Sequence, residues 1–437
     1  MARTDALGPV ERGRPLQPLT ILTTTGVHGG RRGQVSQAPV APPWGTSAER
    51  RLTLLLCATR ERRRLTEDQA VSLVARADPR RLSRLLERLR LTGLVGARVL
   101  ALGARVDARL EAEIRRWTAQ TAAAARTHEL TTLAILSRLE QQGIRALALK
   151  GSVLAREVYG DVGVRSSGDI DILVAPESLA AAVHVVGRMG WTHQAAASRA
   201  RELPVLHETL VHPSLPRAEL HWRVHWYETR FATDALGRAD RPAAHEPLIM
   251  QPADGLAALM LFYARDGFAG LRMPADAAAW WDARCDGLDA DRLVEETAGR
   301  YRELAAPLRV GSELLGALVG LPTQQRAGSW RQRVAAQLAT PFDEVSVAEV
   351  RAKVGLVDLL LAPPRGAKAS LRRERQKIPV GVERPLTRHD PPSWHLARAE
   401  HLLRIARRWA VTVAPAAVRA SHCRSGTAAD LAERVSQ

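Results

Sequence analysis

IRALALKGSVLAREVYGDVGVRSSGDIDILV, the stretch from residue 144 to residue 174, decides the fold that this sequence predicts. Its first six and last seven residues are apolar enough for two short buried strands, with a Lys-Gly-Ser turn, a short helix and a glycine-rich loop between them. Gly151 lets the backbone approach a ligand closely, and the N–H groups at the start of the helix, from Ser152 onwards, would point at an anion. The turn is therefore a candidate phosphate-binding site.

Two carboxylates follow on the second strand. Asp169 and Asp171 are two residues apart, so both stand on one face of the strand, where we expect them to face solvent. At about 4 Å and an effective dielectric near 20, two such charges repel by roughly 4 kcal/mol, and a divalent cation turns this into attraction. Carboxylate oxygens suit Mg²⁺ or Mn²⁺, so the pair is a candidate metal site. The alternative is an exposed edge strand in which Gly-Asp-Ile-Asp is ordinary loop chemistry.

Lys150 lies directly before the glycine of the turn. Only four of the 63 basic residues are lysines, and the other three are Lys353, Lys368 and Lys377. An ammonium group at position 150 can reach a phosphate as a point charge. The alternative is a solvated residue at a strand end.

The pattern LKGSVLAREVYGDVGVRSSGDIDILV, residues 149–174, resembles the nucleotidyltransferases of the DNA polymerase beta superfamily. It is most similar to a large, mostly uncharacterised bacterial branch that carries a Leu-Lys-Gly turn, a Tyr, an Arg and an Asp-Ile-Asp-hydrophobic strand. The resemblance is specific over these residues and looser over roughly 48–340. It implies an α+β fold in which a small mixed sheet with helices forms the nucleotidyltransferase core, flanked by N-terminal and C-terminal helical regions.

A predicted hairpin downstream carries the residue that the resemblance implies as a third carboxylate. Residues 205–212 and 218–226 are predicted to be its two strands. One face of the second strand carries four polar side chains, Glu219, His221, Arg223 and His225. In the resembling family an acidic residue before Leu-His-Trp completes the metal site, and this role falls on Glu219. His221, about 7 Å along the same face, is a candidate contact for phosphate or acceptor.

Three further residues have two interpretations each. Arg165, four residues before Asp169, is a candidate for neutralising phosphate or orienting the carboxylates, and the alternative is a simple surface arginine. Trp280 and Trp281 are expected in the core because aromatic residues on helices are usually buried, and the alternative is stacking on an adenine.

The predicted hairpin holds four histidines, His207, His212, His221 and His225, which raises the question of a zinc site. On one strand His221 and His225 would lie about 13 Å apart, too far to share an ion, so zinc is not favoured. We expect His207 and His212 on the surface of the hairpin and His225 in a solvated or packing position.

The rest of the sequence predicts helical regions on both sides of the core. We expect a disordered or linker segment at 1–47, an N-terminal helical region at 48–128, the nucleotidyltransferase core at 129–245, a helical region packing on the core at 246–342, and a basic C-terminal helical region and tail at 343–437. The helix that leads into the first strand is expected to bury one stripe, Leu130, Leu133, Leu136 and Leu139.

Composition limits the class of protein. With 437 residues, 46% of them apolar, the chain is long enough for two or three domains. No run of about 18 apolar residues and no apolar signal core occur, so we expect a soluble, cytoplasmic protein without membrane contact. The three cysteines, Cys57, Cys285 and Cys423, lie far apart, so neither a disulfide framework nor a zinc knuckle is indicated.

The net charge of +17 would ordinarily suggest nucleic acid as a partner. The excess is almost entirely arginine in an alanine-rich chain, a bias that also fits GC-rich coding. The basic run at 372–377 is expected to be a solvated face, so a nucleic-acid partner is considered but not favoured.

The resemblance, together with the motif residues, implies a metal-dependent nucleotidyltransferase that moves a nucleoside monophosphate, by default AMP from ATP, to an acceptor oxygen and releases pyrophosphate. The predicted catalytic and metal-binding residues are Asp169, Asp171 and Glu219, with Mg²⁺ (or Mn²⁺) as the ion. The predicted nucleotide-binding residues are Lys150, Gly151, Ser152, Arg165 and His221. The acceptor could be a small molecule, a peptide, a protein or an RNA. The alternative is a catalytically inactive module of the same fold that binds nucleotide, nucleic acid or a protein partner.

Overall fold

The computed structural model describes residues 47–103, 106–193, 206–243, 246–324, 328–342, 354, 356–358 and 360–362. All of them belong to one compact unit, Ala41–Gln437. The predicted linker before residue 47, the basic run at 372–377 and Cys423 lie outside the described residues, as does almost all of the predicted C-terminal region at 343–437.

The described part of the chain begins with short helices. They are α1 (Ala48–Cys57), α2 (Arg60–Leu65), α3 (Glu67–Arg76), α4 (Pro79–Leu89) and α5 (Thr92–Ala101). Local sequence sets the start of α4, because the Asp78 carboxylate accepts the N–H of Arg81 at 2.8 Å and Pro79 takes the first helical position. Leucines spaced three and four residues apart then give α4 one buried face.

A 34-residue helix, α6 (Ala108–Gln141), leads into the sheet. The motif stretch then forms β1 (Ala146–Ala148), α7 (Ser152–Tyr159) and β2 (Asp169–Val174). The predicted order of strand, helix and strand is confirmed, although β1 has three residues instead of six.

The remaining elements complete the sheet and cover it. After β2 come α8 (Leu179–Arg188), β3 (Thr192–His193), β4 (His207–Val211) and β5 (Arg217–His221). The helices after the sheet are α9 (Phe231–Arg238), α10 (Pro252–Arg265), α11 (Arg272–Arg284), α12 (Ala290–Arg300), α13 (Ala305–Val319) and α14 (Trp330–Gln337).

The strands form one mixed sheet in the order β1-β2-β5-β4-β3. The central pair, β2 and β5, is parallel, and the other neighbouring pairs are antiparallel. Asp171 lies opposite Glu219 in the parallel pair, and His207 lies opposite His221 in the antiparallel pair of β4 and β5. The small mixed sheet surrounded by helices confirms the predicted α+β fold.

The alternation along the strands gives the sheet an apolar and a polar face. Ile170 and Ile172 of β2 pack with Leu220 of β5 against α6 and α8. The opposite face carries Asp171 and Glu219 and turns towards α10. The candidate site therefore lies between the sheet and this helix.

A larger core joins the helices that precede the sheet with those that follow it. Leu82 of α4, Leu259 of α10 and Leu315 of α13 belong to the same buried cluster. Trp280 is 4% exposed and belongs to this core, as the sequence predicted. The division into regions at 48–128, 129–245 and 246–342 stays a prediction.

Among the helices of the described segments, none is both long and apolar enough to cross a membrane. The cytoplasmic location stays a prediction.

Candidate active site

The turn between β1 and α7 has the geometry of an anion site. Gly151 has a φ of 87°, in a region that glycine adopts readily and other residues rarely do. α7 begins at Ser152, and no described side chain caps its first N–H groups. The Ser152 hydroxyl is buried and has no hydrogen-bond partner among the described residues. Free N–H groups beside a buried hydroxyl fit an anion, and phosphate binding at this turn stays a prediction.

The three predicted carboxylates lie on one face of the sheet. Glu219 on β5 is the register partner of Asp171 on β2, and Asp169 lies two residues earlier on β2. The ligand oxygens of all three lie within 4.8 Å of one another. The predicted convergence of the carboxylates is therefore confirmed, while their roles in catalysis and metal binding stay predictions.

Two cations neutralise these carboxylates. Lys150 Nζ lies 3.1 Å from Asp171 Oδ1, which places the predicted phosphate-binding lysine at the carboxylates. Arg217 Nη2 lies 3.3 Å from Asp169 Oδ2 and 3.2 Å from Glu219 Oε1. Arg217 was not predicted from the sequence, although its position two residues before Glu219 was the signal that would have found it.

His221 lies on the face of β5 that carries Glu219, as predicted, and its ring contacts two of the carboxylates. Its Nε2 is 3.1 Å from Asp171 Oδ1 and 3.5 Å from Glu219 Oε2. The ring is fully buried, so in this structure it contacts the carboxylates and not solvent. A contact of His221 with phosphate or acceptor stays a prediction.

Burial raises the pKa of both central carboxyls, but the surrounding groups outweigh it. The Lys150 ammonium and the contact with His221 hold the pKa of Asp171 well below its usual range. The contacts with His221 and His207 lower the pKa of Glu219 to about 2. Both groups are therefore ionised at neutral pH, as metal ligands must be.

Two details of the predicted strands are wrong. Asp171 does not face solvent, because it is 2% exposed and packed against Lys150 and His221. The second strand of the hairpin, predicted to reach residue 226, ends at His221. Arg223 and His225 therefore do not extend the polar face of β5. After His221, local hydrogen bonds replace the hydrogen bonds between strands. The Val224 N–H, for example, donates to Glu228 Oε1 at 2.9 Å.

The histidines of the hairpin differ from the expectation at one position. His207 is half-buried instead of lying on the surface, and its ring centroid is 4.7 Å from that of His221. Burial and the charge of His221 lower the pKa of His207 to about 4, so its imidazole is neutral at neutral pH. His212 contacts Trp191 and accepts the Leu215 N–H at 3.1 Å, which supports the turn.

Arg165 is not a surface arginine. It is 5% exposed, and its Nη2 lies 2.9 Å from Asp276 Oδ2, whose partner oxygen accepts the Tyr159 hydroxyl at 3.0 Å. Arg165 Nη1 also donates to Ser167 Oγ at 2.8 Å. Ser167 Oγ in turn lies 3.5 Å from the place that a Cβ on Gly151 would take. Arg165 therefore links the loop before β2 to α11, and a direct contact with phosphate stays a prediction.

α10 contributes residues that sequence analysis missed. The Phe262 ring lies 5.3 Å from Lys150 Nζ and 6.4 Å from the His221 ring, and Arg265 stacks over it at 4.6 Å. Phe262 is 1% exposed, and its ring packs against both Lys150 and His221. No sequence signal marks it, because the contact depends on how α10 packs on the sheet.

The site fits a hard divalent cation. Asp169, Asp171 and Glu219 offer oxygen donors, the type that Mg²⁺ and Mn²⁺ prefer. Asp171 Oδ2 is buried without a hydrogen-bond partner in the part of the chain that the structure describes. Arg217 bridges Asp169 and Glu219, which shows that this position attracts positive charge.

Comparisons with known proteins agree with this geometry. A family described as uncharacterised nucleotidyltransferase matches residues 75–310, more than half of the 437-residue chain. The matched range contains the whole sheet and all three carboxylates. No curated protein matches the chain.

Proposed function

The chain belongs to the uncharacterised nucleotidyltransferase family, and on this premise we propose that it transfers a nucleoside monophosphate, by default AMP from ATP, to an acceptor oxygen with release of pyrophosphate. The observation that carries the proposal is the convergence of Asp169, Asp171 and Glu219 on one face of the sheet. Phosphoryl transfer depends mostly on positioning and charge stabilisation, and this cluster supplies both.

The triphosphate would bind at the turn before α7. Gly151 leaves room for a phosphate close to the backbone, and the N–H groups from Ser152 onwards are available to donate to its oxygens. Lys150 would leave Asp171 and pair with a phosphate, since an ammonium on a flexible stem can move between two anions.

The three carboxylates would hold Mg²⁺ or Mn²⁺. When bound, the ion would stabilise negative charge on the phosphate oxygens and orient them for in-line attack. Asp171 and Glu219 are ionised in the folded protein, as ligands of such an ion must be, and Arg217 occupies the space between Asp169 and Glu219 in the free protein.

Glu219 and His221 were both candidates for taking the proton from the acceptor. The Glu219 side chain is 12% exposed and that of His221 is fully buried, so Glu219 is the more accessible of the two. We therefore assign to Glu219 the role of taking the proton from the acceptor. His221 then acts as a positioning residue that holds Asp171 and Glu219.

The proposal is tested by pyrophosphate release from each of the four nucleoside triphosphates, with Mg²⁺ and a cell extract as the source of acceptor. We expect release with at least one nucleotide, and mass spectrometry should find an extract component that gains the matching nucleotidyl mass. The component identifies the acceptor as a small molecule, a peptide, a protein or an RNA.

The matched control is Asp169→Asn, which removes one carboxylate charge and keeps the size of the side chain. Equal pyrophosphate release from this variant and the parent protein would contradict the proposal. Tight nucleotide binding without release in any extract would instead support a catalytically inactive binding module.

A further inference from the structure

Two histidines meet beside the carboxylates. β4 and β5 are antiparallel, and His207 and His221 are register partners, so both rings stand on the face that carries Glu219. The centroids of the rings are 4.7 Å apart. One nitrogen from each ring and one oxygen of Glu219 lie within 4.8 Å of one another.

The two carboxylate oxygens of Glu219 have different neighbours. Its Oε1 is 3.2 Å from Arg217, the residue that also contacts Asp169. Its Oε2 is 3.6 Å from His207 Nε2 and 3.5 Å from His221 Nε2. The carboxylate is thus divided between the aspartates of β2 and the imidazoles of β4 and β5.

We propose that His207, Glu219 and His221 form a second metal site, for a transition-metal ion of the Zn²⁺ type, next to the oxygen site of Asp169, Asp171 and Glu219. This inference deepens the proposed function and rests on it for the role of the ion, but not for its binding. Glu219 would bridge the two ions, as in two-metal centres with ions about 3.5–4 Å apart.

The two contacts to Glu219 have the spacing of ligands around a metal ion, while His221 Nε2 also lies within hydrogen-bond distance of Asp171 Oδ1, at 3.1 Å. Hydrogen bonds between nitrogen and oxygen usually span about 2.7–3.2 Å, so the contacts of 3.5 and 3.6 Å to Glu219 Oε2 are long. Two ligands at 2.0–2.2 Å from a tetrahedral ion lie roughly 3.4 Å apart. The Glu219 contacts therefore have nearly the separation that an ion between the donors would impose.

The donor chemistry determines which ion binds. Two imidazoles and one carboxylate are the ligand set of many catalytic zinc sites, with a fourth position left open. Mg²⁺ prefers oxygen ligands, so the nitrogen set would discriminate against it. The two halves of the cluster would therefore bind different ions side by side.

The binding experiment titrates Zn²⁺, as the probe, into the protein by calorimetry in the presence of excess Mg²⁺. We expect wild-type protein to bind Zn²⁺ and His207→Gln to lose affinity by at least about tenfold. His184→Gln, at an exposed histidine of α8, should bind like wild type. Asp169→Asn should also keep Zn²⁺ affinity, because Asp169 belongs only to the oxygen set.

A second measurement needs no variant and so does not depend on the folding of His207→Gln. Long-range ¹H–¹⁵N NMR of histidine-labelled protein should show Zn²⁺-induced shifts at two imidazoles, those of His207 and His221. Unshifted histidines, equal Zn²⁺ affinity in His207→Gln and wild type, or an equal loss in Asp169→Asn would each overturn the proposal. Pyrophosphate release with Mg²⁺ alone is measured on the same preparations, so failure of the proposed function would be seen separately from failure of Zn²⁺ binding.

Discussion

Asp171 and Glu219 face each other as register partners on two adjacent parallel strands, β2 and β5. They are 48 positions apart in the sequence (219 − 171), and only the parallel pairing of these strands brings them together. Two carboxylates on neighbouring strands repel each other unless cations lie nearby. Lys150 and Arg217 supply these cations. The cations that balance these two charges in the free protein mark the position that a divalent cation would take.

Replacing Asp169 and Asp171 by Asn should separate function from folding. Both variants should lose pyrophosphate release, because each removes one metal-binding charge. Asp169→Asn should cost less than about 1 kcal/mol of unfolding free energy, because its partner Arg217 is exposed. Asp171→Asn should cost more, up to about 3–5 kcal/mol, because it leaves Lys150, whose side chain is only 11% exposed, without its partner.

Urea unfolding and pyrophosphate release measure the two effects on the same preparations. Glu296→Gln on α12 is the control, since its pair with Arg292 is exposed and lies on a helix outside the site. Wild-type turnover in Asp169→Asn, or equal stability of the two Asn variants, would contradict this prediction.

Lys150→Met should weaken binding of the triphosphate while keeping the length of the side chain. A hydrogen bond to a charged group contributes about 1.5–3 kcal/mol, so we expect affinity to fall about tenfold to a hundredfold. Calorimetry with a non-hydrolysable triphosphate and Mg²⁺ gives the affinity, and Arg292→Gln is the charge-matched control. If Lys150→Met binds like wild type, the lysine serves only to neutralise Asp171.

Local periodicity was enough to predict part of the site. Asp169 and Asp171 were placed on one face by strand alternation, and Glu219 followed from the family pattern. The same reasoning failed for the stripe of leucines on α6, where Leu130 and Leu133 are exposed. A spacing of three residues drifts around a helix of 3.6 residues per turn, so the four leucines do not share one face.

Other parts of the site depend on contacts that no local pattern contains. The pairing of His207 with His221 requires the register of two strands, and the contact of Arg165 with Asp276 joins positions 111 residues apart. The end of β5 at His221 depends on Glu228, whose side chain takes the N–H of Val224. These features follow from tertiary packing, which cannot be predicted from the periodicity of the sequence.

Arg217→Gln should strengthen Mg²⁺ binding. The guanidinium group occupies the position between Asp169 and Glu219 that the ion would take, and its removal ends that competition. Since exposed pairs contribute up to about 1 kcal/mol, we expect Mg²⁺ affinity to rise by up to about fivefold. The measurement is the Mg²⁺-dependent rise in melting temperature. Weaker Mg²⁺ binding in the variant would show instead that Arg217 holds the carboxylates in their binding arrangement.

Asp276→Asn should destabilise the protein strongly. Arg165 and Asp276 are 5% and 1% exposed, so the variant leaves a buried guanidinium group without its counter-charge, at a cost of about 3–5 kcal/mol. Tyr159→Phe removes one hydrogen bond to the same carboxylate and should cost about 1.5–3 kcal/mol. Urea unfolding gives both values.

Two comparisons show whether the buried charge is the cause. Arg309→Gln breaks an exposed pair with Glu295 and should cost at most about 1 kcal/mol. The double replacement Arg165→Met with Asp276→Leu should cost less than Asp276→Asn, because it removes both charges together. A loss in Asp276→Asn no larger than that in Arg309→Gln would refute the prediction.

Glu228→Gln should change how stability depends on pH. Burial raises the pKa of Glu228 to about 8 from 4.5, although the Val224 N–H and the Arg223 charge oppose this shift. The folded protein therefore keeps a proton that the unfolded chain loses near pH 4.5. The contribution of protonated Glu228 to the free energy of unfolding is fully present below pH 4.5 and is lost as the pH rises through 8, at about 1.4 kcal/mol per pH unit between the two values.

Glutamine is neutral at every pH, so the Glu228→Gln variant should lack this slope. Unfolding free energies of both proteins from pH 5 to pH 9 give the difference, which isolates Glu228 from the other titrating groups. Parallel curves for the two proteins would mean that Glu228 is already ionised in the folded state at neutral pH.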